Sequence, residues 1–238
     1  MEYQKLQQLY TSQLQIKESA SADTGRSLRH QAHQAEHGRS CLPTIVSVQY
    51  QEKKYSIEVK PRGEPVCPAD MNPDLTCLLI LHVLLALLYM HNHRMVHRDV
   101  RVANIIRHKE QFILIDLEEM KELDKMPGCD EQLRAWGENN EALQDGKFTK
   151  VSDLYSVGLM LQVILRTHGV LGVQREKDKK AVPEQVQKAW HEATSRKENM
   201  THFVDVLLSK RCRNAEAALD AAANYSLIKK TQNGWTSV

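Results

Sequence analysis

The chain has 238 residues, enough to bury one substantial core and to form one domain built as two lobes. With 32 basic against 30 acidic residues and only 5% aromatics, it lacks the electrostatic footprint and the stacking platform of a nucleic-acid binder. Its five cysteines are odd in number, widely spread and without a CxxC pair, which argues against a disulfide framework or zinc knuckle and for reduced thiols in an intracellular protein, cytoplasmic or nuclear.

Residues 1–40 are rich in Gln, Ser and His and too polar at the start for a secretory signal. Helices are expected at Lys5–Leu14 and Arg26–His37, the second ending near Gly38. His30, His33 and His37 share one face of that second helix and read as solvent-facing rather than as a metal site. Thr44–Tyr50 and Tyr55–Val59 are strand-like and read as a hairpin turning at Gln51–Lys54. Pro61, Gly63, Pro65 and Pro68 then interrupt regular structure.

Leu75–Met90 reads LTCLLILHVLLALLYM. It is short of a membrane span, contains His82 and is bounded by Asp74 and the polar cluster His91–Arg94. A helix buried on all sides is expected, and no membrane association. Short strands follow around Asn104–Ile106 and Phe112–Ile115. The stretch Leu117–Gly146 is long, charged and without periodicity, as functional loops are. Val151–Leu165 is an apolar helix pattern, Arg175–Lys180 a charged surface loop, and helical patterns at Glu184–Thr194, Phe203–Leu208 and Ala215–Ala223 close the chain. A few strands followed mainly by helices indicate an α+β fold.

Residues 95–118 read MVHRDVRVANIIRHKEQFILIDLE. The pattern HRD-x-x-x-x-N, then a hairpin and a strand ending in Asp, resembles the catalytic loop and metal-binding segment of protein kinases. The spacing suits phosphoryl transfer, in which the nucleophile must be oriented and the phosphate charge neutralised. By this resemblance Asp99 is the catalytic base, Asn104 and Asp116 are magnesium ligands, and Arg101 stands where serine/threonine kinases have a lysine beside the transferred phosphate. His97 is implied as a buried structural residue, and Arg98 as facing the activation segment.

Downstream, EALQDGKFTKVSDLYSVGLMLQVIL (141–165) resembles the end of that segment and the helix whose Asp anchors the catalytic loop, here Asp153. Glu141 falls at the Glu of the family's Ala-Pro-Glu signature, with Asn139 and Asn140 replacing Ala-Pro. Arg211 or Arg213, in KRCRNAEAAL, is its implied partner. Upstream, YSIEVKPRG (55–63) resembles the last small-lobe strand running into the hinge.

The resemblance implies a protein kinase-like fold with a reduced N-terminal small lobe and a mainly helical C-terminal lobe. Residues 1–43 form a poorly matched segment, 44–64 the small-lobe strands and hinge, and 65–238 the C-lobe. It further implies ATP and Mg2+ as cofactors and a protein substrate or regulatory protein as partner.

The departures from the pattern are specific. No Gly-rich loop precedes Thr44, where the only glycines are Gly25 and Gly38. Lys17, in LQIKES, and Glu36 are the candidates for the small-lobe lysine and its helical partner, but they read more readily as ordinary surface residues. Asp116-Leu117-Glu118 replaces Asp-Phe-Gly, with a Glu as in choline and aminoglycoside kinases. Leu117–Glu141 contains no Ser, Thr or Tyr, so Asp130 or Glu131 is the expected partner of Arg98 in place of a phosphate. In these traits the chain looks like compact fungal and oomycete kinase-like proteins. Two functions remain open at this point: an active protein Ser/Thr phosphotransferase, or a pseudokinase serving as a binding scaffold.

Overall fold

The computed structural model describes residues 37–51, 54–117, 120–123, 143, 147–172, 182–232 and 234–238. The expected helix at Lys5–Leu14, nearly all of that at Arg26–His37, and the loop Arg175–Lys180 lie outside these residues.

The hairpin is formed by β1 (Thr44–Gln51) and β2 (Lys54–Lys60), antiparallel in a register running from Thr44 opposite Lys60 to Gln51 opposite Lys54. β3 (Glu64–Pro65) then joins an antiparallel sheet in the order β3, β5 (Ile105–His108), β6 (Gln111–Leu114). A proline can occupy β3 because that strand lies at the sheet edge.

The central element is α1 (Pro73–Asn92). Its start is well specified: the Asn72 side chain accepts the Leu75 N–H at 2.8 Å, Pro73 occupies the first turn, and Asp74 adds a favourable charge there. By length and composition this helix could cross a membrane, yet 83% of its most apolar stretch is buried inside the fold. It lacks a polar face because β6, the helix α5 (Ala215–Asn224) and the C-terminal hairpin described below surround it. His82 is accommodated in this apolar setting because its Nδ1 accepts the Phe112 N–H of β6 at 3.1 Å.

His37 differs from expectation. It lies in a helical turn at 37–40, half-buried, with its ring edge-on to His82 at 6.5 Å between centroids. Gly38, beside it, packs directly on α1. A Cβ at that position would stand 2.4 Å from the Leu85 carbonyl oxygen.

α2 (Lys150–Thr167) packs on α4 (Thr194–Leu208). Gly158 permits their close approach, since a Cβ there would lie 2.9 Å from Leu208. The short amphipathic α3 (Glu184–Glu192) buries Val186 and Trp190, and the Trp190 indole N–H donates to the Met71 carbonyl at 2.7 Å. α4 is longer than the expected 203–208. Only its Met200, Phe203, Val204 and Leu207 are buried, so its first half carries little periodic signal.

The chain does not close on a helix. β8 (Ile228–Thr231) and β9 (Gly234–Ser237) form a terminal hairpin that covers α1 with Leu227, Ile228 and Trp235. Two further short strands, β4 (Met95–Val96) and β7 (Lys121–Glu122), pair antiparallel beside the loop that follows β4.

Candidate active site

The loop from His97 to Asn104 leaves β4 and ends in a 3-10 turn at Val102–Asn104. Its scaffold is a single buried carboxylate. Asp153, in the first turn of α2, accepts the backbone N–H of His97 at 2.9 Å and of Arg98 at 2.8 Å. It also accepts the His91 Nε2–H from the end of α1 at 2.9 Å. Burial alone would raise the Asp153 pKa, but donation from His91 and the loop amides outweighs it and holds the carboxyl below its usual value. Three elements are therefore tied at one point. His91 had no part in the sequence expectation, because a histidine within an apolar helix carries no local sign of its partner.

His97 is fully buried, and burial pushes its imidazole pKa down, keeping the ring neutral. Its Nε2–H donates to the Ile115 carbonyl at 3.0 Å, while Nδ1 accepts the Asp99 N–H at 3.3 Å. The ring bridges the loop to the end of β6.

Asp99 and Asn104 meet directly. The Asn104 side-chain amide donates from Nδ2 to the Asp99 carboxylate at 2.8 Å and to the Asp99 carbonyl at 2.8 Å. The Arg101 guanidinium Nε lies 3.0 Å from the same carboxylate oxygen, Oδ2. Both side chains of the Asp99–Asn104 pair are buried, whereas that of Arg101 is 41% exposed.

Asp116 immediately follows Ile115, whose carbonyl binds His97 and whose N–H donates to the Asn104 carbonyl at 2.8 Å. The Asp116 backbone has φ of 63°, the left-handed region that a non-glycine residue adopts only at a cost. Ile115, next to Asp116, is thus joined to the loop at two points, the His97 ring and the Asn104 backbone.

The donor set fits a magnesium ion. With Nδ2 committed to Asp99, Asn104 has its amide oxygen left as a hard donor, and Asp116 supplies a carboxylate. Magnesium takes one or two carboxylates and retains water on its other positions. Among the described residues no cluster of three or more His, Cys, Asp or Glu forms a more elaborate metal cage.

The sequence pattern implied that Arg98 faces the segment running from Asp116 toward α2. Its guanidinium lies over the Phe148 ring, 4.2 Å from the centroid. Phe148 was not singled out by the sequence reading. The suggested partners Asp130 and Glu131, together with Lys17, Glu36 and Glu141, lie outside the described residues.

The family model of the protein kinase domain matches residues 69–222. The chain belongs to the protein kinase domain family. Its relatives include Crinkler effector protein 8 of Phytophthora infestans, 26% identical over 129 residues, which cover 53% of this chain and 21% of that protein. Another is a protein kinase and PP2C-like domain-containing protein of Arabidopsis thaliana, 24% identical over 183 residues, covering 69% of this chain and 26% of that protein. The kinase-domain chain therefore spans only a minor part of either relative's length. Among solved structures, the Cydia pomonella granulovirus kinase PK-1 shares the fold, with a TM-score of 0.55 over 84% of this chain and 80% of that one, at 15% identity. The oomycete relative accords with the resemblance drawn from the sequence.

Proposed function

We propose that this kinase domain is an active ATP- and magnesium-dependent phosphotransferase that moves the γ-phosphate of ATP to a protein Ser or Thr hydroxyl. The observation that carries the reading is the Asn104 amide holding the Asp99 carboxylate at 2.8 Å. A scaffold protein has no physical need for a buried carboxylate fixed so closely to an amide whose oxygen remains free to act as a second donor.

In this reading Asp99 Oδ2 is occupied by Asn104 and Arg101, and Oδ1 accepts the proton of the incoming hydroxyl. Asn104 Oδ1 and Asp116 would hold Mg2+, which would neutralise phosphate charge. Arg101, half-exposed beside Asp99, contributes positive charge where the transferred group gathers negative charge. His97 and Asp153 fix the loop and take no part in proton transfer. Labelled ATP with magnesium should transfer phosphate to a protein acceptor, and Asp99→Asn should abolish that transfer.

One observation favours the alternative of a binding scaffold with weak nucleotide affinity. Of the two glycines preceding Thr44, Gly38 is used for packing against α1. It is thereby withdrawn from any loop that covers phosphates, and Gly25 alone makes no glycine-rich lid.

A further inference from the structure

Arg98 is held in an unfavourable backbone conformation beside the proposed base. Its φ is 77°, which a residue with a long side chain adopts only where the surroundings over-determine it. One determinant is the backbone bond from its N–H to Asp153. A second acts on the side chain, through the face of the Phe148 ring 4.2 Å from the guanidinium carbon.

Phe148 is well placed to act as an anchor. It is 5% exposed and belongs to a small apolar cluster separate from the main core, formed with Val96 and Leu143 and flanked by Leu123. Val96 is the last residue of β4, directly before His97. Leu123 follows β7, and its N–H donates to the Arg94 carbonyl at 2.7 Å. The cluster therefore joins the stem of the 97–104 loop to residues near both ends of the segment between Asp116 and α2. A cation above a buried ring gains more than one above an exposed ring, because less water competes for it.

The sequence adds an independent constraint. From Met90 to Phe148 there is no Ser, Thr or Tyr. No hydroxyl in that whole stretch can carry a phosphate to neutralise Arg98, so any phosphate there would have to come from elsewhere.

We propose that Phe148 is a positioning residue for the catalytic loop: its ring fixes the Arg98 guanidinium, and through Arg98 the backbone that carries Asp99, without any phosphorylation of the segment. Its part in turnover rests on the phosphotransfer reading above, whereas its part in ordering the loop does not.

The test compares Phe148→Leu, which keeps apolar volume and loses the ring, with Phe148→Tyr, which keeps the ring. Amide hydrogen exchange at Arg98 and Asp99 is followed in the unphosphorylated protein. In Phe148→Leu these amides should exchange roughly three- to thirtyfold faster, the range of a cation–π contact, while Phe148→Tyr stays near wild type. In turnover assays kcat should fall by a similar factor in Phe148→Leu with the KM for ATP unchanged. Unaltered exchange in Phe148→Leu, or equal acceleration in Phe148→Tyr, overturns the proposal.

A wild-type protein without turnover would remove the phosphotransfer reading and leave the exchange test to decide this one. Should Phe148→Leu fail to fold, Arg98→Met carries the test: accelerated exchange at Asp99 supports the proposal and unaltered exchange overturns it.

Discussion

His91, at the end of α1, donates to Asp153, at the start of α2, across 2.9 Å in the interior of the protein. The same carboxylate receives the backbone N–H groups of His97 and Arg98, so it joins the two central helices to the loop that bears Asp99. Removing it leaves three buried donors without their acceptor. Asp153→Ala should therefore destabilise the fold by about 3 kcal/mol, the upper part of the range for an unsatisfied buried group. Chemical unfolding checks this, and a change below about 1 kcal/mol would show that the carboxylate is not the anchor.

Asp116 should behave in the opposite way. It is exposed and follows the end of β6, so the fold buries no charge there. Asp116→Asn should cost less than about 1 kcal/mol of stability while lowering magnesium-dependent turnover by at least about a hundredfold. Equal unfolding of Asp116→Asn and Asp153→Ala would erase the distinction between chemistry and scaffold.

Gly38 gives a packing prediction. A Cβ added there would meet the Leu85 carbonyl oxygen at 2.4 Å and the Tyr89 Cβ at 3.0 Å, and backbone cannot yield as a flexible side chain can. Gly38→Ala should destabilise by about 1–3 kcal/mol through overpacking, seen as a lower urea midpoint at unchanged slope. A neutral substitution would mean that the 37–40 turn does not seat on α1 as described.

The acid sensitivity of the fold follows from His82. Burial, assisted by the nearby His37, lowers its pKa to about 4 from an ordinary 6.5. A depressed pKa means that the unfolded chain binds the proton first. Stability is thus complete above about pH 6.5 and is lost as pH falls toward 4. Between about pH 7 and about pH 5 this one group should remove roughly 2 kcal/mol, measurable as a falling urea midpoint. His82→Leu should flatten that slope while lowering stability at neutral pH, because the Phe112 N–H loses its acceptor. An unchanged slope would place the sensitivity elsewhere.

Much of this architecture was legible in the sequence because it is carried by local signals. The β1–β2 hairpin, the unbroken apolar helix and the spacing of Asp99, Asn104 and Asp153 all appear in the residues themselves. The pairing of β4 with β7 was not legible, because two-residue strands are fixed by what surrounds them and carry no period. The terminal hairpin had a signal that went unread: Asn233-Gly234 is a strong turn pair, but the flanking LIKKT and WTSV offer little alternation. The Arg98–Phe148 contact spans fifty residues of sequence and could not be inferred without the fold. His37, expected at the surface, is half-buried because its partner His82 lies on a distant helix.

The central claim is most directly tested by titrating ATP into the purified protein with and without magnesium, followed by calorimetry or thermal shift. In the proposed reading Asp116 and Asn104 supply most of the phosphate affinity through the metal, because residues 1–43 hold only Gly25 and Gly38 and Gly38 is committed to packing. Binding should therefore be weak, with Kd on the order of 0.1–1 mM, equivalent to roughly 4–5.5 kcal/mol. It should require magnesium and be accompanied by ATP turnover. A 1 mM site would stabilise the fold by about 1.4 kcal/mol at about 10 mM ATP. No stabilisation at that concentration, or binding indifferent to magnesium, would contradict the account and leave the kinase fold as a scaffold.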